Sequence, residues 1–416
     1  VSVGTTRWSG FLQDEWKPLS NLSINVGVRY DLDTNANDPD FSHPLVPNGR
    51  DRDTNNIQPR LGFSWDVTKS GQYVVRGGAG IFTGRYLLVP IFTELQQNGA
   101  TGWLIRQRLN GLLLGLPALA LDPANPRTTG IALPPDITLL DKTFDAPEAT
   151  QASLGATARL GNTGLYFDVE GVYVKGRKEI MQRDANWSGN ATHVRPNPAY
   201  NQINTYTNDG ESVYKGLTFS VNGNLKGGHL ITTSVTLASK KNRNDDFSPE
   251  FPVGYPSDSA DPAAEYGRAR SDERFRLVMT GIFRLPWQVT VSPIFEYGSG
   301  QPWTHRYGYD FNGDGKTGDR QPGVERFGED GPPFRQLSLR VTKGVPLPFG
   351  KVDVFVEAYN VFNTVNYDVS TIDGGEFTAG PTLANPNAVA VRNSNFGKFV
   401  NTFPGREVQF GVRLSF

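Results

Sequence analysis

The chain has 416 residues, which exceeds the usual size of one soluble domain. Its 41 basic and 42 acidic residues nearly cancel, so the charge gives no reason to expect a nucleic-acid partner or a polybasic membrane-surface role. No apolar run reaches the roughly 20 residues of a membrane helix, and the nearest, Gly111 to Leu121, is interrupted by Pro117. With 46 Gly, 25 Phe and 15 Tyr, the composition is typical of β proteins. If a membrane is involved, strands must cross it.

Strand-like runs recur along the whole chain, and each has an apolar face. Most are close to the ten or so residues that a tilted membrane strand needs. Thirteen such runs are predicted, at residues 8–17, 20–30, 57–66, 72–83, 151–160, 165–176, 216–225, 229–239, 273–286, 287–300, 334–342, 352–362 and 406–416.

Alternation within these runs predicts which side chains share a face. In a membrane barrel the apolar face meets lipid and the other face lines the lumen. The residues predicted to face lipid are Leu22, Ile24, Val26, Leu217, Phe219, Val221, Val408, Phe410, Val412 and Leu414. Those predicted to face the lumen are Asn25, Arg29, Ser220, Asn222, Gln409 and Arg413.

The connections between the runs alternate between short and long. The short ones are turn sequences such as TKSG, GNTG, KGG and KGVPLPFG, and the long ones are 31–56, 84–148, 176–212, 241–271, 300–333 and 363–404. Short periplasmic turns and long extracellular loops are typical of outer-membrane barrels. The alternative is a large soluble β protein, which would rarely have structureless connections of more than about 15 residues at every second turn.

Several segments carry a family resemblance, namely residues 11–31, 76–85, 271–304, 360–367 and 396–416. On these segments the chain resembles the C-terminal part of the β-barrel of TonB-dependent outer-membrane receptors, in the Oar-like branch. The resemblance implies that residues 1–416 are the C-terminal ~13 strands of an antiparallel transmembrane barrel of about 22 strands. It also implies a Gram-negative bacterial outer membrane, an N-terminal plug and coupling to TonB. Residues 405–416, ending on Phe416, resemble the last strand read by the barrel-assembly machinery.

The resemblance implies uptake of an unidentified ligand, of the siderophore, glycan, cobalamin or peptide class. The alternative is a non-transporting scaffold that displays its loops for adhesion or for anchoring an assembly. Catalysis is not expected, because the four histidines have no ligand spacing and no nucleophile, base and acid stand in a recognisable order.

One loop segment predicts a structural calcium site. Asp310, Asn312 and Asp314 stand at alternate positions and Gly315 follows, as in the first half of a calcium loop. The Lys316 carbonyl would take the seventh position. Gln321 stands where the bidentate Glu belongs, so Asp319 would supply the remaining carboxylate. The alternative is a plain solvated turn, which uses the same residue types.

Thirteen strands are an odd number, and single-chain bacterial barrels have even numbers. An open sheet in a bilayer would leave two edges of unpaired backbone groups. Val1 stands in mid-pattern with no signal peptide. We therefore expect about nine further strands and the plug, either upstream of Val1 or on a second chain. The competing expectation is that run 8–17 closes directly against run 406–416.

Overall fold

The computed structural model describes residues 3–34, 37–102, 134–243, 245 and 255–416. Val1 and the apolar run Gly111 to Leu121 lie outside them. The described residues form one α-helix, α1 (Leu88–Gln97), and nineteen strands. The strands are β1 (Thr6–Leu19), β2 (Leu22–Thr34), β3 (Ile57–Asp66), β4 (Tyr73–Thr83), β5 (Ile137–Leu140), β6 (Glu148–Arg159), β7 (Leu165–Asp184), β8 (Ile203–Leu225), β9 (His229–Asn242), β10 (Gly267–Arg268), β11 (Phe275–Leu285), β12 (Val289–Gly298), β13 (Pro302–Trp303), β14 (Glu329–Asp330), β15 (Phe334–Leu347), β16 (Gly350–Tyr359), β17 (Phe377–Ala379), β18 (Val391–Arg392) and β19 (Glu407–Ser415). No helix in these ranges is long and apolar enough to cross a membrane.

Thirteen of the strands form one continuous wall, in which each strand pairs antiparallel with the next. Their order is β1, β2, β3, β4, β6, β7, β8, β9, β11, β12, β15, β16 and β19. Each run predicted from the sequence overlaps with one of these strands. The strands could be predicted from the alternation of apolar and polar residues with a period of two, because the two faces of every wall strand differ chemically.

The strand pairing places every second residue of each wall strand on the same face of the wall. Side chains on one face therefore share the same parity in their strand. One row of directly paired residues begins at Ile24 and continues through Phe63, Gly77, Leu154, Gly171, Leu217 and Leu237. The same parity passes through β11, β12, β15 and β16 to Val408 in β19. All ten residues predicted to form the apolar face lie on this side, and the six predicted alternates lie on the other.

The wall ends in two strands that pair on one side only. β1 pairs with β2, β19 pairs with β16, and within the described residues no pairing joins β1 to β19. Both edge strands are exposed along almost their whole length, including Leu12 at 76% and Phe410 at 78%. Among these residues, then, the backbone groups on the open side of each edge have no ladder partner.

The alternation of short and long connections is present, but several details of the prediction were wrong. β7 and β8 extend to Asp184 and from Ile203, so the third long connection is 185–202 rather than 176–212. Most of the predicted turn KGVPLPFG is strand, and only residues 348 and 349 connect β15 to β16. The long connections are also not structureless, because they contain α1, β5 and several two- or three-residue strands.

We call the described parts of the six long connections the loop layer. One of its apolar cores packs Tyr86, Ile91, Leu140 and Phe144 against Tyr206 of β8, with all five side chains buried. β5 runs parallel to the first four residues of β8, Ile203 to Tyr206, and lies beside α1. Distant segments of chain are therefore held together at this end of the wall by ordinary core packing.

Candidate functional site

A cavity of about 570 Å³ lies in the loop layer. It is enclosed by residues of three connections, those between β9 and β11, between β12 and β15, and between β16 and β19. We call it the loop cavity. Its lining combines cations and aromatic rings, notably Arg270, Arg306, Lys316, Arg320, Arg326, Tyr255, Trp303 and Phe327. This size is within the usual range of small-molecule sites.

The cations of the loop cavity differ in how they are held. Arg320 donates two hydrogen bonds to the buried Glu265 carboxylate, at 2.7 and 2.9 Å, so its charge is already matched. Arg326 is buried and donates to the Asn242 carbonyl oxygen at 2.7 Å. Arg306 is exposed, and its guanidinium has no hydrogen-bond or ion-pair partner among the described residues. Arg306 is therefore the cation most available to an anionic group in the cavity.

The predicted calcium residues do lie together, at the edge of this cavity. Asp310 accepts hydrogen bonds from the amides of Gly313 and Gly315, at 2.8 and 2.9 Å. Both glycines have positive φ, 87° and 93°, a conformation that other residues rarely adopt. The acidic side chains thus shape a tight turn by accepting from its own backbone.

The other predicted ligands make the same kind of contact. Asn312 accepts from the amide of Asp314 at 2.8 Å, and Asp314 accepts from the amide of Lys316 at 2.8 Å. Asp319 accepts from the Phe311 amide at 2.7 Å. No group of three or more acidic or histidine side chains in the described residues is arranged to hold a metal ion. These side chains accept from the backbone of their own turn, and calcium binding by them stays a prediction.

Lys316 places a cation inside the turn itself. Its ammonium lies 3.3 Å from the centroid of the Tyr255 ring, in the geometry of a cation–π contact. Burial lowers the pKa of Lys316 to about 8, against the opposing effect of Asp314. Burial also raises the pKa of Asp314 to about 6 and that of Asp319 to about 7. The turn therefore carries three groups that titrate close to neutral pH.

Sequence reasoning missed most of the cavity residues. Arg306 and Trp303 lie on one connection, and Tyr255 lies about fifty residues earlier on another. The only sequence feature that could have indicated these residues was the presence of cationic and aromatic side chains in the long connections. The aromatic pair Tyr307 and Phe311, stacked with centroids 4.4 Å apart, was missed for the same reason.

The face of the wall opposite the apolar one carries polar networks. Asp31 accepts hydrogen bonds from Arg7 at 2.8 Å, Ser9 at 2.7 Å, Arg29 at 3.1 Å and Gln58 at 2.5 Å, which links three neighbouring strands. Farther along the wall Arg340 pairs with Glu357 at 2.8 Å. This face is therefore suited to water or to polar protein surface rather than to lipid.

Residues 1–326 match the family model described as an outer membrane beta barrel domain. The chain belongs to this family. It is thus a bacterial outer-membrane protein, and the apolar face of this outer-membrane domain is the one suited to lipid. No curated protein matches its sequence.

Solved structures of outer-membrane proteins share the fold of this barrel domain at low sequence identity. The outer membrane transporter YddB from Escherichia coli is 12% identical with a TM-score of 0.59, and the match covers 99% of this chain and 45% of YddB. An apoprotein structure of the FrpB iron transporter from Neisseria meningitidis is 12% identical with a TM-score of 0.53, covering 98% and 45%. The siderophore receptor PiuA from Acinetobacter baumannii is 10% identical with a TM-score of 0.53, covering 98% and 43%. The chain spans less than half the length of these proteins.

Proposed function

We propose that this chain is the barrel part of a TonB-dependent outer-membrane receptor that takes up a ligand first bound in the loop layer. The observation that carries the proposal is the loop cavity at one end of a wall whose inner face is polar. The fold similarity to a transporter and a siderophore receptor supports it.

The two open edges support a larger barrel. A bilayer offers no partners for the unpaired backbone of β1 and β19, which supports the proposal that further strands pair with both. In a 22-stranded barrel about nine strands would complete the wall, on the same chain or a second one, together with a plug through which TonB acts. Placement in the Oar-like branch rests on the segments quoted above. Contact with the barrel-assembly machinery would involve residues 405–416.

The class of ligand is left open among siderophores, glycans, cobalamin and peptides. Within the loop cavity, Arg306 provides an unmatched cation, and Trp303 and Phe327 provide aromatic surface. This combination suits a ligand that carries both an anionic group and a flat or apolar part.

The test uses the whole receptor in its own outer membrane. Cells lacking it would be offered ferric siderophores, cobalamin, oligosaccharides or oligopeptides, each as the only source of the nutrient it supplies. Growth on one of them should depend on the receptor and on TonB, and Arg306→Ala should weaken it. Lys398→Ala, at an exposed cation outside the cavity, is the matched control. Uptake that continues without TonB, or growth unaffected by loss of the receptor on every source, would contradict the proposal.

A further inference from the structure

The apolar face of the wall is interrupted by a groove of about 690 Å³. It lies across β6, β7, β8 and β9, where Gly171 stands in the paired row between Leu154 and Leu217. In the next row the small side chains of Ala152 and Ser239 flank the larger Tyr173 and Lys215. A Cβ added at Gly171 would meet one backbone oxygen at 3.9 Å, so the space above this residue is open. The lining is mostly apolar. We call this feature the outer-face groove.

Four cations lie on the same face, next to the groove and toward the long connections. We call them the basic patch. Val213 is paired on one side with Lys175 and on the other with Lys241, and Lys215 lies one row nearer the groove, whose lining it also forms. Arg177 continues the same face of β7. Adjacent strands are about 4.8 Å apart, so Lys175 and Lys241 are separated by about 10 Å.

Within the part of the chain that the structure describes, the patch lacks matching acids. Among the described residues none of its four cations forms a hydrogen bond or an ion pair. Two carboxylates lie nearby: Glu211, which is matched by Arg243 at 2.6 Å, and Glu148, which is opposite Arg177 without forming a salt bridge. Like charges grouped on one face repel each other. A bound anion would remove this cost.

We propose that the outer-face groove and the basic patch together form a site for a phosphorylated lipid. The acyl chains lie in the groove beside Gly171, and the phosphate is held by Lys175, Lys215 and Lys241. Three observations on the same four strands support this: a mostly apolar groove, cations at its rim that have no partner among the described residues, and Lys215 belonging to both. Clustered lysines and arginines at a membrane surface select anionic lipids in this way.

The position of the basic patch along the strands also indicates which leaflet of the membrane supplies the lipid. β7 continues past Lys175 to Asp184, and β9 ends one residue after Lys241, so the patch is at the end of the wall that carries the long connections. In outer-membrane barrels that end faces outward. The lipid therefore belongs to the outer leaflet. The inference uses the lipid face alone and is independent of the ligand taken up.

The test measures lipid retention by native mass spectrometry of the whole receptor in neutral detergent. The probes are lipid A with both phosphates, lipid A with the phosphates removed, and inorganic phosphate. The wild type should bind the phosphorylated lipid most tightly. Replacing Lys175, Lys215 and Lys241 by Gln should weaken that binding about a hundredfold and abolish the preference, because each lysine near a membrane surface contributes about 1 kcal/mol.

Filling the groove tests the acyl-chain part separately. Gly171→Leu should weaken binding of both forms of lipid A, while Gly10→Leu, at an open position on the same face of β1, should not. Lys226→Gln, at an exposed lysine in the turn between β8 and β9, controls for loss of charge alone. If the triple variant does not fold, Lys215→Gln is measured by itself.

Several results would overturn the proposal. They are equal retention of both forms of lipid A by the wild type, equal binding of free phosphate, and equal loss in the Lys226→Gln control. Cross-linking between Ser239→Cys residues of two receptor copies would also overturn it, since a second copy would then cover the groove.

Discussion

Arg50 and Glu94, which come from two different long connections, form an ion pair that no solvent reaches. Glu94 is on α1 and also accepts a hydrogen bond from the amide of Leu140 in β5, at 2.8 Å. The Arg50 guanidinium lies over the Phe41 ring with 4.4 Å to its centroid. One buried pair thus joins three segments of the loop layer that are far apart in sequence.

Removing one member of this pair should destabilise the loop layer strongly. Glu94→Gln leaves the Arg50 charge buried without its counterion, which typically costs about 3–5 kcal/mol. Faster hydrogen exchange and proteolysis in residues 37–56 and 84–102 would show it. As a control, Glu170→Gln removes an exposed partner of Arg76, 3.7 Å away, and should cost less than about 1 kcal/mol. Equal effects of the two substitutions would contradict the prediction.

Much of the wall could be predicted from sequence, and little of the loop layer could. In β8 and β19 each residue's face follows from its position in a period of two, which needs no knowledge of the partner strand. The core of Ile91, Leu140, Phe144 and Tyr206 brings together three separate stretches of chain. No local sequence pattern predicts contacts between residues so far apart in the chain. The buried pair of Arg50 and Glu94 was missed for the same reason.

Arginine substitutions on neighbouring residues of β8 should separate the two faces of the wall. Phe219→Arg puts a charge on the apolar face and should cost about 2–4 kcal/mol if the position is near mid-membrane. Ser220→Arg puts the same charge on the polar face and should cost little. Unfolding of the whole receptor in lipid vesicles by urea measures both free energies. Equal tolerance of the two substitutions would contradict the assignment of faces.

The acidic turn should be least stable near neutral pH. Unfolded aspartates ionise near pH 4, whereas burial raises the pKa of Asp319 to about 7 and that of Asp314 to about 6. The folded turn therefore holds more protons between about pH 4 and 7, and its stability falls as pH rises through that window. The pKa of Lys316 is lowered to about 8, so above pH 8 the folded turn holds fewer protons and stability rises again.

Hydrogen exchange of residues 307–320, corrected for the intrinsic rate at each pH, measures this dependence. Asp319→Asn should flatten the acid side of the profile, because its amide cannot ionise. Residues 37–56 in the same sample serve as the internal reference. Protection of the turn that is constant from pH 5 to pH 7.5 would count against the prediction.

Calcium binding by Asp310, Asn312, Asp314, Asp319 and the Lys316 carbonyl stays a prediction. An ion bound here would lie near the buried Lys316 ammonium, which interacts electrostatically with Asp314. We therefore expect weak binding, with a dissociation constant of about 10⁻⁴ to 10⁻³ M, stronger at pH 8 than at pH 6. Calorimetry with calcium chloride, against Asp310→Ala and against magnesium, measures it. No heat of binding at pH 8 would support the plain turn.

The parity shared by the paired rows of the wall restricts how this gene can change in length. A single inserted residue within a wall strand would move every later side chain of that strand to the opposite face of the wall. Apolar side chains would then lie on the polar face, and polar side chains would lie on the lipid face. The described wall strands shift their register at two places, at the end of β1 between Trp16 and Leu19 and in β7 between Gly176 and Met181, both away from the paired row of Gly171 and Leu217. We therefore expect related genes to differ in length at the connections, and to gain or lose residues within the membrane strands only in twos.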